Sequence, residues 1–405
     1  MASKTLFDPI SFAHGPAMRN RFMLAPLTNM QSLADGRMSA EEHHWLAMRT
    51  QGGFGATMTC AAGVQKNHST LHGQLGIYDD LHIPPLRLIA EKMKANGNVA
   101  LTQISHGGVR ADPEVTGENP VCPYEDPEWN ARALSTGEVQ QLVEDFILAA
   151  KRAETAGFDG VEIHGAHGQI LAQFLNPVKN LRSDGYGGSL EDRARVIDEI
   201  LAGIRARCKP DFIVGLRLSA ERFEIKLSEF RSLSTRYMTL GMVDFMDFSL
   251  WNVFKEPAEE EFRGKPLIAW VTDLPRGNAL AGVTGKIHSA ADARACLEYG
   301  ADFVIIGRGA VLHHDFPNRC AADPDFKVRS LPVPVDYLHA EGVSDAFVNY
   351  LRRWDGFVAE AGQGMYTYEA DMVDGSAVPH CIAPEDLVAA MPEAAVHELE
   401  VTQTA

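Results

Sequence analysis

The chain has 405 residues, with 37 Lys+Arg against 54 Asp+Glu and a net charge of −17, and so acidic a chain, with no basic cluster, is a poor match for nucleic acid or an anionic membrane surface. Hydrophobic residues at 45% and charged residues at 22% exclude a disordered or collagenous chain and supply ample material for a core. The six cysteines, Cys60, Cys122, Cys208, Cys296, Cys320 and Cys381, form no C-x-x-C pair, which argues against a disulfide framework or an iron–sulfur or zinc site and predicts a reducing compartment.

The N-terminus, MASKTLFDPISF, lacks the apolar core of a signal peptide, and no run approaches the roughly 18 apolar residues of a spanning helix, so a cytoplasmic location is expected. Eight short apolar runs then read as strands: Arg21–Pro26, Ala56–Ala62, Val99–Ile104, Gly160–Ile163, Phe212–Leu218, Val243–Ser249, Asn278–Val283 and Phe303–Ile306. Helices lie between several of them. Ser135 and Glu138 have capping-box spacing, Val139, Leu142, Val143, Phe146, Ala150 and Ala153 recur at helical period, and Gly157 supplies a stop. Ser189 with Asp192 opens a second helix carrying Leu190, Ile197, Ile200, Leu201 and Ile204, with Pro210 beyond its end. Strands buried on both faces and joined by amphipathic helices imply right-handed βαβ units. Eight such units predict an α/β fold, the (β/α)8 TIM barrel, over residues 1–330. An open doubly wound sheet competes, but no G-x-G-x-x-G follows the first strand.

Near Ser330 the pattern changes. LPVPV reads as an extended linker, and residues 331–405 read as an acidic, partly helical C-terminal extension with 13 Asp+Glu against 2 Arg. Ser344 is placed to cap a helix whose Phe347, Tyr350, Leu351, Trp354 and Val358 make an apolar stripe, expected to pack on the barrel or a neighbouring subunit. The closing EAAVHELEVTQTA reads as frayed.

In such a barrel the chemistry sits where strands end, and the loops after strands seven and eight hold phosphate. Thr284-Gly285-Lys286 follows the seventh strand and Gly307-Arg308-Gly309 the eighth. Small residues admit backbone N–H groups to an anion and Arg308 offers a guanidinium fork, which points to a phosphate-bearing ligand; the plainer alternative is two glycine turns with Arg308 in a salt bridge. The other strand ends supply Thr28, Ala61, Gln103, His164 and Arg217.

The segments APLTNM (25–30), GNVALTQISHGG (97–108), GFDGVEIHGAHG (157–168), QFLNPVKNLRSDGYGGSLEDRARV (173–196), VGLRLS (214–219) and GADFVIIGRG (300–309) resemble the Old Yellow Enzyme family of FMN-dependent NAD(P)H oxidoreductases, in the family's order. The resemblance implies FMN as cofactor and NADH or NADPH as hydride donor, with Ala25, Pro26, Leu27, Thr28 and Ala61 lying against the flavin. It gives Gln103 the pyrimidine edge, which needs a donor and an acceptor on one side chain. Arg217 would stand beside N1 and O2, raising the reduction potential, although an ion pair inside the barrel is the simpler reading of such an arginine. Gly285, Lys286, Gly307 and Arg308 match the phosphate loop, Lys286 standing where a second Gly is common.

His164 and His167 match the donors that grip a substrate carbonyl above the flavin. Two His at this spacing could hold a metal, but with only Glu162 nearby no metal is expected. Gln169 departs from the family, which has a Tyr there to protonate the α-carbon; an amide is no general acid near neutral pH. Tyr78, Tyr124, Ser105 and His106 are the candidate substitutes. The reaction implied is hydride transfer from NAD(P)H to an activated alkene such as an enone or enal. The alternative is a desaturase, a double-bond isomerase or a quinone or dioxygen reductase on the same scaffold. A non-redox aldolase lacks a Lys at a strand end for a Schiff base. A small-molecule substrate, no nucleic acid and no membrane are expected, and a homo-oligomer is a family expectation.

Overall fold

Eight parallel strands pair in chain order and close on themselves: β1 Phe22–Leu24, β2 Ala56–Gly63, β3 Val99–Ser105, β4 Gly160–Gly165, β5 Ile213–Ser219, β6 Phe245–Ser249, β7 Leu280–Thr284 and β8 Phe303–Ile306. Closure comes from Met23, which pairs with Ala56 on one side and Ile305 on the other. This is the expected (β/α)8 barrel, seen in a computed structural model that describes residues 4–359. Seven of the eight strands differ from expectation by one or two residues at an end, and two of these differences have a clear cause. In β1 the ladder reaches Ala25, whose N–H donates to the Ile306 carbonyl, and stops because Pro26 has no N–H to continue it. β4 runs two residues further than expected because His164 and Gly165 stay in register with Arg217 and Leu218, which puts His164 on a rigid strand.

Alternation along the strands sorts the interior into two tiers. The lower tier is apolar: Met23, Met58, Val99, Leu101, Ile213, Phe245, Phe303 and Ile305 are buried together with Phe12. Phe12 comes from an N-terminal turn pinned by the Ile10–Met18 bridge and packs 5.7 Å from Phe245 and 6.5 Å from Phe303 between ring centroids. The rings fit because β5 and β7 carry glycine opposite them. A Cβ on Gly215 would lie 2.1 Å from the Phe245 ring, and one on Gly282 would lie 2.4 Å from Phe303. The upper tier is polar and forms the site described below.

Outward residues such as Ile104, Ile163, Leu216, Phe248 and Val283 meet the surrounding helices: α1 Ala40–Gln51, α2 Ile83–Ala95, α3 Thr136–Ala156, α4 Leu190–Arg207, α5 Leu227–Thr239, α6 Leu267–Thr272 and α7 Ala290–Glu298. α3 starts at the expected capping box and ends at Gly157, whose φ of 94° only glycine adopts readily. α4 is capped by Ser189, which accepts from the Asp192 N–H.

The stretch after Ser330 is held against the barrel. α8 Val335–Ala340 and α9 Asp345–Leu351 are short helices, and Phe347 packs edge-on against Trp45 of α1 at 5.5 Å. The expected apolar stripe holds at Phe347 and Leu351, but the helix ends at Leu351; Val358 instead bridges to Val333. Residues 360–405, including the closing segment expected to fray, lie outside the described residues. Among the described residues no helix is long and apolar enough to cross a membrane.

Candidate active site

Inward positions of the upper tier belong to Gln103 on β3, Glu162 and His164 on β4, Arg217 on β5, Asp247 and Ser249 on β6 and Thr284 on β7. All but Thr284 are buried. The Gln103 amide donates to Glu162 Oε1 at 2.6 Å, Thr284 Oγ1 donates to Asp247 Oδ1 at 2.7 Å, and Arg217 Nε lies 2.9 Å from Asp247 Oδ2. That last pair is close but off the line of a hydrogen bond, leaving both atoms unsatisfied. Two carboxyls thus face one guanidinium away from water. Burial, together with the neighbouring Asp247 charge, holds the Glu162 carboxyl well above the usual carboxylate range. Its Oε2 has no hydrogen-bond partner among the described residues.

His164 and His167 are joined directly, Nε2 to Nδ1 at 2.9 Å, and the chain continues outward on both sides. Ser105 Oγ lies 3.3 Å from His164 Nδ1 and Ser249 Oγ lies 2.8 Å from His167 Nε2. His167 sits in a turn at φ 57°, with its N–H donating to Ser219 Oγ at 3.0 Å. Burial first, then the Arg217 charge, pushes both imidazoles well below their ordinary range, so each is neutral at pH 7. A neutral imidazole still offers an N–H, but it brings no charge.

The strand ends that carry Gly285, Lys286, Gly307 and Arg308 lie close together. A Cβ on Gly307 would stand 3.8 Å from Leu27 and 3.9 Å from Ala25, and one on Gly285 would stand within 2.8 Å of the Trp251 backbone. The first strand's end and the loops after β6, β7 and β8 therefore meet at one rim. Lys286 adopts φ 49°. Burial, then Arg308, and more weakly Lys286, lower His288 to about 4 against an opposing pull from Asp292, so both cations act on the same imidazole. Ala61 lies just past a bulge in β2 and pairs with Gln103.

Gln169 precedes the short helix Ile170–Leu175, and its side chain makes no cap bond. Its Oε1 is buried with no hydrogen-bond partner among the described residues. Of the candidate substitutes for the missing Tyr, Ser105 has a hydrogen bond to the histidine pair. Tyr78 bonds the Asp35 carbonyl, and Tyr124 packs under Val109, Cys122 and Ala131. His106 accepts from the Gly108 N–H and is lowered by burial to about 3, so at neutral pH it is not an imidazolium able to act as a general acid. Sequence reasoning does not reach Asp247, Ser249, Ser219 or the role of Glu162. Period-two alternation outward from Arg217 and His164 is the signal that would have found Ser219 and Glu162; Asp247 and Ser249 follow only from the register of the neighbouring strand. Sequence reasoning places Tyr350 only in an apolar stripe, whereas the phenol shares a hydrogen bond with Thr28.

The unpartnered Glu162 Oε2 and Gln169 Oε1, beside the buried Arg217 and with Lys286 and Arg308 after β7 and β8, suit a polar ring with an anionic tail. The model of the NADH:flavin oxidoreductase / NADH oxidase family matches residues 5–324. The chain belongs to this family. A probable NADH-dependent flavin oxidoreductase of Bacillus subtilis (YqiG) is 34% identical over 315 residues, 75% of this chain and 84% of its own. The NADPH dehydrogenase of Bacillus licheniformis is 28% identical over 83% of this chain and 99% of its own. An Old Yellow Enzyme homologue from Zymomonas mobilis shares the fold at TM-score 0.71 and 23% identity, covering 85% of this chain and 99% of that one. Like its relatives in the NADH:flavin oxidoreductase family, the protein is an FMN-dependent NAD(P)H oxidoreductase.

Proposed function

We propose that the enzyme reduces activated alkenes, small enone-, enal- or quinone-like molecules, over the polar tier of the barrel. Bound FMN supplies the hydride, received from NADH or NADPH. His164 and His167 hold the acceptor's carbonyl oxygen, and as neutral N–H donors they stabilise the negative charge that grows there. To do so they exchange their bond to each other, or the one to Ser249, for a bond to the acceptor. Gln103, Arg217 and Thr28 face the ring, with Arg217 stabilising negative charge at one edge. Lys286 and Arg308 with the backbone of Gly285 and Gly307 hold the phosphate, and Ala25, Pro26, Leu27 and Ala61 pack beside it. The observation that carries this reading is the continuous bonded line Ser105–His164–His167–Ser249 above a buried arginine.

Purified protein is expected to be yellow, to bleach anaerobically with a reduced nicotinamide and to recolour with cyclohexenone. Bleaching without recolouring by any enone would overturn the alkene assignment. A second reading is favoured by one observation: the amide at Gln169 cannot protonate the α-carbon, so the native reaction is a quinone or dioxygen reduction, which needs no proton there, or a desaturation or isomerisation whose α-carbon proton moves through another group or water. Gln169→Tyr separates the two. A gain of roughly tenfold or more in alkene reduction, the order of a general-acid contribution, favours the second reading. No gain favours proton delivery from water or Ser105.

A further inference from the structure

Cations rim the barrel mouth on two arcs. Lys286 and Arg308 follow β7 and β8 and are accounted for by the cofactor's phosphate. Arg110, after β3, and Arg222, after β5, lie on the histidine side and have no such role. Among the described residues neither makes an ion pair, and the one side-chain hydrogen bond between them is Arg110 Nε to the Gly168 carbonyl at 3.3 Å. Of the acids nearby in sequence, Glu221 is taken by Lys255 at 3.1 Å and by the Ala258 N–H, Asp112 accepts from the Glu114 N–H, and Glu224 is exposed.

Both guanidiniums are fixed by aromatic rings. Arg110 Cζ lies 5.7 Å and Arg222 Cζ 5.8 Å from the centroid of Phe223, and Arg222 also lies 5.0 Å from Trp251. Phe223 and Trp251 are held at φ 59° and 62°, an uncommon conformation for aromatic residues. The ring of Phe223 in turn reaches the Gly168 backbone, since a Cβ there would meet it at 2.9 Å. Gly168 adjoins His167. The rings hold the cations without supplying them an acidic partner, and a guanidinium's N–H groups match a carboxylate in geometry and charge.

We infer that Arg110 and Arg222 bind a carboxylate carried by the acceptor, so that the substrate is an activated alkene with an acidic group. This deepens the proposed function and rests on it for the alkene, but the anion site itself can be tested without turnover. The phosphates of the reduced nicotinamide are the other source of anionic charge.

The holoenzyme in its oxidised form is titrated with 3- and 4-formylbenzoate and with their methyl esters, following the flavin absorption spectrum. At least one carboxylate is expected to bind tenfold or more tightly than its ester, with that advantage falling as salt is added and disappearing in Arg110→Gln/Arg222→Gln. Equal binding of acid and ester in the native protein would overturn the inference. So would a double variant that keeps the preference while its half-reaction with NADH or NADPH needs tenfold more nucleotide, because the arginines would then serve the nucleotide. Retained acid preference in a protein that reduces no alkene would sink the alkene assignment and leave the anion site standing.

Discussion

At the scale of single residues, the site works through groups kept neutral by burial. His164 and His167 lie far below the ordinary imidazole range, so affinity for a neutral carbonyl acceptor should stay level as pH crosses the usual histidine titration; a drop centred there would mean that an imidazolium does the gripping. Either His→Ala should slow alkene reduction by roughly 100- to 1,000-fold, the size of one lost donor to a developing charge, with a smaller effect on flavin reduction by the nicotinamide. Stopped-flow measurement of the two half-reactions reads both. Glu162 titrates in the opposite sense. Its folded pKa is raised above the unfolded value, so its contribution to stability is full below the unfolded pKa and is lost as pH rises through the folded one. The urea midpoint of the wild type should therefore fall relative to Glu162→Gln between about pH 5 and about pH 9. A constant gap would show that Glu162 does not titrate there.

At the scale of elements, the glycines of β5 and β7 are as decisive as the aromatic residues they face. Gly215→Val would drive side-chain atoms into Phe245, and an overpacked core of this kind costs about 1–3 kcal/mol, readable as a lower urea midpoint. Ser135→Ala should cost about 1 kcal/mol by uncapping α3. The strands and the two long helices were legible in the sequence because buried runs and caps are local signals: Ser135 with Glu138, and Ser189 with Asp192, announce helices by spacing alone. The candidate residues on strand ends were legible because barrel topology fixes where those ends point. Asp247 and Ser249 were not, since their meaning depends on Arg217 from the neighbouring strand and on register, which no local pattern carries. Helix α9 ends before its apolar stripe does because Val358 finds a partner in Val333, a tertiary bridge invisible to helical periodicity.

At the scale of the whole molecule, the stretch after the barrel is fastened by one buried side chain. Arg49 of α1 stacks on Trp45 with Cζ 4.2 Å from the ring and donates to the carbonyls of Ala310 and Glu341, tying α1, the loop after β8 and the C-terminal stretch together. Arg49→Met should cost roughly 1–3 kcal/mol for each carbonyl left without a donor, measured as a fall in Tm. Truncation after Ser330 should uncover Trp45 and lower Tm as well; an unchanged Tm would show that the stretch adds nothing to the barrel. The plugged lower tier has a further outcome. With Phe12, Phe245 and Phe303 sealing one end, whatever approaches the chemistry enters by a single doorway, and the nicotinamide must vacate it before an acceptor arrives. Steady-state rates with both molecules varied should then trace parallel double-reciprocal lines, the mark of visitors that never meet.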